Sequence, residues 1–446
     1  MKRAITFLLL ALALLGLWGA SKAHERLRDY RARHQLLAAA PLENAPPLMA
    51  FTTVALGGFR GLIADLLWLR IIRRQHEGRI FEIVQLADWV TKLEPHFTTV
   101  WAFQAWNMAY NISVLFPDPE TRWRWVLNGI RLLRDEALRY NPREALLYKE
   151  LGWLYQHKVG YIMDSAHPYY KRRLAEIMHA ALGGARPGRQ LSAEADRCLR
   201  EEFKLDPARL RQCDAEYGSL DWRLPETHAL YWAWLGRSVA APQTFGRRAC
   251  DQMIFQCLST AFRQGRLDFE PSTDTYVTTP NLELLPQTIK SYEEAILRHA
   301  EPLFSAVYAN FLGEAVVILH CYGRESQARA LYQQALRRFG GEGPAMRYED
   351  FIEKSFAWMQ RNAGDLPQPD AVAVVEGFLF QALRQKASGN PQAAEEFEEQ
   401  ARSFWDNYMN ARENDDHRAR TGLPALEMLR HQAERRAATE TNLPGR

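Results

Sequence analysis

Four polar residues, among them two carboxylates and a histidine that could transfer protons, lie close together around Trp222. They are Asp221, Arg223, Glu226 and His228. A carboxylate beside a histidine can act as a general acid or a general base, so this polar cluster could be the site of an all-α enzyme. A capping role is the alternative. Pro225 is favoured at the first position of a helix, and polar groups in the first turn can satisfy free backbone N–H groups.

The sequence gives less support to a metal site. Glu176 and His179 have the i,i+3 spacing of two ligands on one helix, but a di-iron bundle needs two such pairs and further Glu residues. The motifs GxxxxGK[ST], GxGxxG, HExxH and GxSxG are absent from the sequence. We therefore predict no bound metal and no cofactor.

The composition is that of a folded protein. Of 446 residues, 47% are hydrophobic and 24% are charged, which separates the chain from disordered proteins. The net charge is +3, from 56 Lys and Arg against 53 Asp and Glu. This balance argues against nucleic acid as the main partner, because such proteins present a basic patch or stripe. The length allows several domains or one extended solenoid.

The five cysteines form no C-x-x-C pair. They are Cys198, Cys213, Cys250, Cys257 and Cys321. Their spacing gives little support to a zinc or redox site. Buried free thiols are one interpretation, and a Cys198–Cys213 disulfide in an oxidising compartment is the other.

An apolar run near the N-terminus predicts contact with a membrane. Residues 5–20 carry no charge and follow Lys2 and Arg3. This length suits the core of a signal peptide or a signal anchor. Residues 1–23 are therefore predicted as a signal anchor or a signal peptide. Cleavage stays open, because Lys22 lies within the candidate cleavage site.

The orientation in the membrane has two interpretations. Basic residues follow the apolar run at Lys22, Arg26, Arg28, Arg31 and Arg33, and charge counting would then favour a cytoplasmic body. A short basic N-terminus before an apolar run is, however, the usual form of an export signal. We expect a single-pass protein of the bacterial inner membrane with its body on the outer, periplasmic side.

Residues 24–58 are predicted as a linker and amphipathic lead-in, interrupted by Pro46 and Pro47. An apolar stretch, Leu48–Phe59, and a glycine-rich turn lead into Leu62–Arg70. This last segment predicts a buried first helix or, alternatively, a helix that lies on the membrane surface.

The segment Ala145–Tyr155 carries the most specific pattern in the chain. Tyr148, Leu151, Gly152 and Tyr155 share one face of a predicted helix. A glycine in mid-helix costs about 1 kcal/mol relative to alanine. Between large residues, Gly152 therefore predicts the close approach of a second helix.

Related patterns occur on both sides of this segment. Gly78 and Pro95 bracket an amphipathic helix, and Pro95 and Pro142 are 47 residues apart. Towards the C-terminus, Gly323 and Gly389 each precede a stripe of small and large residues at helical spacing. The stripes are Ala328, Tyr332 and Ala335, and Ala394 and Ala401 with Phe397 one place off.

This pattern resembles the tetratricopeptide repeat (TPR), in which an aromatic, Leu-Gly and Tyr recur at these offsets and a proline closes each unit. The resemblance covers residues 59–160 and 301–410. It implies an all-α solenoid of helical hairpins. Residues 161–300 are then a divergent helical region with long loops, including an irregular connection from Glu270 to Pro280, and residues 411–446 are a polar C-terminal tail.

The resemblance implies a concave groove that binds protein or peptide segments. Some TPR proteins hold a C-terminal carboxylate with an Asn two residues after the first aromatic. Phe103 and Glu150 stand at those places here, which argues against a carboxylate clamp. Phe103, Trp106 and Tyr110 would make the groove aromatic, and this favours an apolar or extended segment.

The whole chain is similar to bacterial membrane-tethered TPR proteins. We therefore expect a membrane-anchored scaffold that binds another protein in an envelope assembly, and not an enzyme. The alternatives are an all-α enzyme with a site at Asp221–His228, and a structural subunit of a larger membrane complex that uses Leu48–Arg70. The sequence indicates neither the identity of the partner nor the oligomeric state.

Overall fold

A computed structural model describes residues 15, 16, 18–23, 25–27, 29, 30, 60–161, 164–183, 191–270, 275–340, 346–412 and 422–441. Within these residues the fold is all-α, as predicted, apart from one two-stranded sheet. Most of the predicted membrane segment 5–20 lies outside the described residues, as does most of the predicted lead-in 24–58.

The chain divides into two compact units, residues 1–100 and 101–446. In the first unit, α1 (Arg60–His76) and α2 (Ile80–Leu93) form a helical hairpin. Gly78 takes a φ of +70° in the turn, a conformation open to glycine but unfavourable for residues with a Cβ. The helix predicted between Gly78 and Pro95 is confirmed.

The next three helices each change their hydrogen-bonding pattern near their C-terminal ends. First, α3 (Thr98–Trp106) continues as a π-helix over Asn107–Ile112 and a 3₁₀ turn over Ser113–Leu115. Next, α4 (Pro119–Arg131) continues as a π-helix over Leu132–Ala137 and a last helical turn over Leu138–Tyr140. Finally, α5 (Ala145–Trp153) continues as a π-helix over Leu154–Val159.

The π-helical segments after α3 and α5 occupy equivalent positions. They begin at Asn107 and Leu154, which are 47 residues apart, the interval that also separates Pro95 from Pro142. Short π-helical segments are rare and occur frequently at functional sites. The common interval indicates that α3 and α5 are related structural units.

The predicted divergent region begins with five helices among its described residues, followed by a β-hairpin and a sixth helix, Leu285–His299. The helices are α6 (His167–Ala181), α7 (Ala193–Glu201), α8 (Pro207–Tyr217), α9 (Pro225–Val239) and α10 (Phe245–Gln264). The strands β1 (Arg266–Glu270) and β2 (Thr275–Thr279) then pair antiparallel.

The β-hairpin corrects the irregular connection predicted from Glu270 to Pro280. The second strand is rich in β-branched residues, which favour extended backbone. In the register of the hairpin, Asp268 lies opposite Val277, and Phe269 and Val277 are buried.

The remaining helices build a second hydrophobic core. They are α11 (Leu285–His299, after a 3₁₀ turn at Leu282–Leu284), α12 (Pro302–Cys321), α13 (Glu325–Phe339), α14 (Tyr348–Arg361), α15 (Gln368–Ala387), α16 (Pro391–Arg412) and α17 (Leu426–Thr441). A 3₁₀ turn at Ala363–Asp365 precedes α15. Among the described helices, α12 alone is long and apolar enough to span a membrane, and half of that stretch is buried inside the protein.

Two helical hairpins in this core turn at the predicted glycines. Gly323 joins α12 to α13 with a φ of +65°, and Gly389 joins α15 to α16 with a φ of +77°. Residues of both predicted stripes are buried: Ala328, Tyr332, Ala394 and Ala401. The glycine positions and the small residues that follow them are thus confirmed as features of helical hairpins.

The helix α17 differs from the polar tail predicted for residues 411–446. Its side chains Leu429, Ala433 and Arg436 are buried. Nε of Arg436 donates to Oε1 of Glu376 at 3.0 Å, and its guanidinium lies 4.5 Å from the ring centroid of Tyr322. The polar composition predicted an exposed tail, but one of the polar residues, Arg436, is buried and paired with the buried Glu376.

Gly152 lies where α5 meets α9 and α10. A Cβ built on Gly152 would lie 3.0 Å from the carbonyl oxygen of Ala229 and 2.6 Å from Sδ of Met253. Side chains at this position therefore collide with the backbone of α9. The close helix contact predicted at Gly152 is present.

We predict that Gly152→Leu destabilises the protein by roughly 1–3 kcal/mol, because the new side chain overpacks this contact. Chemical denaturation of the purified full chain measures the change. Gly61→Leu is the matched control, since a Cβ on Gly61 meets no atom within 4 Å. An unchanged stability for Gly152→Leu would contradict the tight contact.

Candidate functional site

Two of the three residues predicted to form an aromatic groove are in direct contact. The ring centroids of Trp106 and Tyr110 are 4.6 Å apart, and Trp106 is 42% exposed. The Tyr110 hydroxyl lies 3.1 Å from Nδ1 of His157, on the π-helical segment after α5. Phe103 lies three residues before Trp106 on α3 and is half-buried.

Aromatic rings from two helices continue this contact. His157 stacks on Trp153 with centroids 4.5 Å apart and an interplanar angle of 10°. It also lies 5.7 Å from the ring of Tyr161, which is 53% exposed. We call Trp106, Tyr110, Trp153, His157 and Tyr161 the aromatic ladder. Trp106 and Trp153 are 47 residues apart, as are Tyr110 and His157, so equivalent positions of two helices form most of it.

Charged groups border the ladder. Oε2 of Glu150 accepts a hydrogen bond from Nε1 of Trp106 at 3.2 Å, and Oε1 of Glu150 accepts one from Nζ of Lys149 at 3.0 Å. That ammonium group also lies 4.8 Å from the ring centroid of Trp153. Glu150 stands where a carboxylate clamp would need an Asn, and its negative charge disfavours a bound carboxylate.

A buried ion pair fixes the π-helical segment after α5. Nζ of Lys158 lies 2.5 Å from Oδ2 of Asp164 and 5.1 Å from the ring centroid of Tyr110. Asp164 also accepts hydrogen bonds from Arg122 at 2.9 Å and from the Tyr170 hydroxyl at 3.0 Å. Burial lowers the pKa of Lys158. Several partners thus satisfy Asp164, and the pair gives the ladder a rigid support.

The predicted polar cluster separates into an ion pair and two buried side chains. Nη2 of Arg223 donates to Oδ2 of Asp221 at 2.7 Å and to the carbonyl oxygen of Leu267 at 2.9 Å. Glu226 and His228 are 3% and 1% exposed. The structure therefore does not assemble the four residues into one accessible site.

Burial determines the protonation of Glu226 and His228. It raises the pKa of Glu226 to about 7 and lowers the pKa of His228 to about 4. Nε2 of His228 lies 2.9 Å from the carbonyl oxygen of Trp222, so this nitrogen carries a proton and donates it. The imidazole also stacks on Tyr155 at 4.9 Å. These contacts favour a packing role for the neutral ring.

The capping interpretation of this cluster holds in part. Pro225 begins α9, and Glu226 lies in its first turn, but no side chain caps the helix at Leu224. Oδ1 of Asp221 instead accepts the backbone N–H of Arg223 at 3.1 Å. The capping bond thus forms in the turn that precedes the helix.

Glu176 and His179, considered above as a pair of metal ligands, each contact another residue. Glu176 forms an ion pair with Arg173, and the ring of His179 packs edge-on against Phe269 with centroids 5.8 Å apart. In the described part of the chain, no three potential ligand side chains converge. All five cysteines are free thiols in this structure, and each except the partly exposed Cys198 is buried.

A second candidate site, which the sequence analysis missed, lies among the C-terminal helices. It is an apolar groove of about 450 Å³ between α12, α14 and α15. Residues from all three helices line it, among them Gly313, Glu314, Val317, Phe351, Trp358 and Asp370. We call it the C-terminal groove. The sequence signal that could have indicated it is Gly313, a glycine in the middle of a long apolar helix.

Comparison with family models, curated proteins and solved structures returned no match to this chain. The resemblance to TPR proteins therefore rests on the sequence pattern described above.

We predict that Glu226→Gln makes the protein less sensitive to rising pH. The pKa of Glu226 is about 7 in the folded protein against 4.5 for an ordinary glutamate, so the folded chain holds a proton that the unfolded chain loses. Stability is therefore lost as pH rises from 4.5 through 7. The stability of Glu226→Gln minus that of wild type should increase by up to about 3 kcal/mol over this range.

Urea denaturation at pH 4.5, 6 and 8 measures this difference. Glu427→Gln, at an exposed position of α17, is the matched control and should follow wild type at each pH. A stability difference for Glu226→Gln that does not change with pH would contradict the burial of an uncharged carboxyl group.

Proposed function

We propose that this chain is a helical scaffold that binds an extended apolar segment of another protein across the aromatic ladder. The ladder is the observation that carries the proposal. It joins rings from α3 and α5 into one surface, with Trp106 and Tyr161 exposed at 42% and 53%. Large aromatic side chains of this kind are typical of the centres of protein interfaces.

The chemistry of the ladder favours an apolar, extended ligand. Grooves lined by aromatic rings accommodate extended and proline-rich segments, whose side chains pack between the rings. Glu150, held by Trp106 and Lys149, disfavours the carboxylate of a C-terminus. We therefore propose that the bound segment is internal to the partner.

The support beneath the ladder favours binding without a large rearrangement. Lys158 and Asp164 hold the π-helical segment that carries His157, and Tyr110 contacts both His157 and the Lys158 ammonium group. Surfaces that are ordered before binding lose less conformational entropy on association.

The proposal includes a membrane location. We propose that residues 5–20 anchor the chain in the bacterial inner membrane with its body on the periplasmic side, as part of an envelope assembly. The helix α1 supports contact with lipid. Leu62, Leu66 and Leu69 lie on one of its faces and are 55%, 58% and 62% exposed. Arg73 follows on the same helix with 82% of its side chain exposed, as in helices that lie on anionic membranes.

The enzyme alternative receives less support from the geometry. Glu226 and His228 are buried, Asp221 is paired with Arg223, and none of the four residues lines the C-terminal groove. A structural subunit that uses α1 against lipid or protein stays compatible with the exposed leucines.

We predict that a photo-crosslinking amino acid at Tyr161 captures the partner, whereas one at Leu297 does not. Leu297 is the control because it is 86% exposed and lies on α11, outside the ladder. The full chain is crosslinked in intact cells, extracted in mild detergent and digested for mass spectrometry. The crosslinked peptide should come from an internal, apolar segment of one protein.

The double variant Trp106→Ala, Trp153→Ala should abolish this crosslink, and Trp358→Ala in the C-terminal groove should leave it intact. Both variants should give the circular dichroism spectrum of the folded wild type, which is the control for this experiment. A crosslink that survives the loss of both ladder tryptophans would refute the proposed surface, as would capture of the partner's C-terminal residues.

We also predict that anionic lipid protects α1 from trypsin. The full chain is reconstituted in vesicles of phosphatidylglycerol or of phosphatidylcholine. Cleavage after Arg73 should be slower in the anionic vesicles, whereas cleavage after the control residue Arg347, 74% exposed, should be equal in both. Leu66→Ser with Leu69→Ser should remove the protection. Equal cleavage after Arg73 in the two lipids would contradict a membrane-bound α1.

A further inference from the structure

The floor of the C-terminal groove is open because α12 carries a glycine there. A Cβ on Gly313 would meet only Cζ of Phe351, at 3.9 Å, which is an ordinary van der Waals distance. The helix glycines Gly152, Gly236 and Gly377 differ, since a Cβ on each would approach another atom to 2.6–2.8 Å. Close helix packing explains those three glycines but not Gly313, whose missing side chain leaves space in the groove.

The walls of the groove present apolar side chains to this space. Val317 comes from α12, Phe351 and Trp358 from α14, and Val374 from α15. Trp358 is 52% exposed and Met346, at the rim, is 39% exposed. A half-exposed tryptophan beside an open apolar groove is the arrangement found where a partner's side chain is inserted.

One end of the groove carries more negative than positive charge. Nη1 of Arg263 donates to Oε2 of Glu314 at 2.5 Å, but Nε of Arg263 lies 4.0 Å from Oδ1 of Asp370. Asp370 accepts no hydrogen bond from the described residues. Pro367, at the N-cap of α15, and Pro369, in its first turn, have no backbone N–H that could donate to Asp370.

A second cation, Lys354 on α14, also lines the groove. Among the described residues it forms no ion pair with Glu314 or Asp370, whose ion pairs are with Arg263. Two carboxylates, Glu314 and Asp370, therefore share the single guanidinium group of Arg263. In keeping with this, burial raises the pKa of Asp370 to about 6, and a bound cation would favour its ionised form.

From this geometry we infer that the C-terminal groove binds a short segment of a partner protein in which a Lys or Arg side chain is flanked by apolar side chains. The apolar side chains occupy the space above Gly313 and against Trp358. The cationic group lies between Asp370 and Glu314 and supplies the positive charge that Arg263 alone does not. This site is separate from the aromatic ladder, so either can fail without the other.

A matched series of labelled peptides tests the inference. Full-length protein is reconstituted in lipid nanodiscs, because free detergent could fill the groove. Fluorescence polarisation then measures binding of amidated Gly-Leu-Xaa-Leu-Gly peptides, in which Xaa is Lys, norleucine or Glu. The Lys peptide should bind about tenfold tighter than the norleucine peptide, as expected for one charged hydrogen bond, and the Glu peptide should bind weakest.

Two variants separate the apolar from the charged contribution. Gly313→Leu fills the groove and should abolish binding of all three peptides, with a melting temperature equal to or above that of wild type. Asp370→Asn should keep the apolar contribution but remove the preference for Lys over norleucine. Because Asp370→Asn does not alter the shape of the groove, it tests the inference even if Gly313→Leu fails to fold.

Several results would overturn the inference. These are binding of the Glu peptide as tight as that of the Lys peptide, undiminished binding to folded Gly313→Leu, or no binding of any peptide to wild type. Competition by n-hexylamine, combined with no peptide binding, would assign the groove to a small amphiphilic amine instead. Trp106→Ala with Trp153→Ala should leave peptide binding unchanged.

Discussion

The close contact of α5 with the α9–α10 hairpin is the constraint on which the first core of the large unit depends. Three glycines permit it. Gly152 faces α9 and α10, and a Cβ on Gly236 or Gly246 would lie within 2.8–3.0 Å of Tyr148 or Ala145 on α5. Glu150 and Trp153 lie on a different face of α5 from Gly152. The glycine contacts therefore set the orientation of the helix whose other face forms half of the aromatic ladder.

The buried carboxyl groups of this protein avoid an uncompensated negative charge in different ways. Asp164 is ionised and paired with Lys158, and Glu376 is paired with Arg436. Glu226 instead has a raised pKa and stays protonated in mildly acidic solution. These groups are satisfied inside the fold. The only ion pair of Asp370 among the described residues is with Arg263, at 4.0 Å. This difference is why we propose that the C-terminal groove, and not the Asp221–His228 region, binds a cationic side chain.

Sequence patterns predicted features whose causes are local. Glycines with positive φ at Gly78, Gly323 and Gly389 mark helical hairpins, and the spacing of Trp106 and Tyr110 places them on one helix face. The other rings of the ladder come from a helix 47 residues later, and no local rule indicates that contact or the π-helical segments that enable it. The C-terminal groove needs three helices from different parts of the chain. The burial of α17 was missed because it depends on pairing Arg436 with a glutamate 60 residues away.

The contacts of α17 also bear on the order in which the molecule folds. Gln432 donates a hydrogen bond to Asp268, which is 164 residues earlier in the chain, and Arg436 donates to the carbonyl oxygen of Pro280. The helical hairpins close over short loops, whereas this docking must close a long one at a greater loss of chain entropy. We therefore expect the β-hairpin and α17 to come together late in folding. Detachment of α17 would leave the buried charge of Glu376 without its cationic partner Arg436, so we expect α17 to open together with the segments that it contacts.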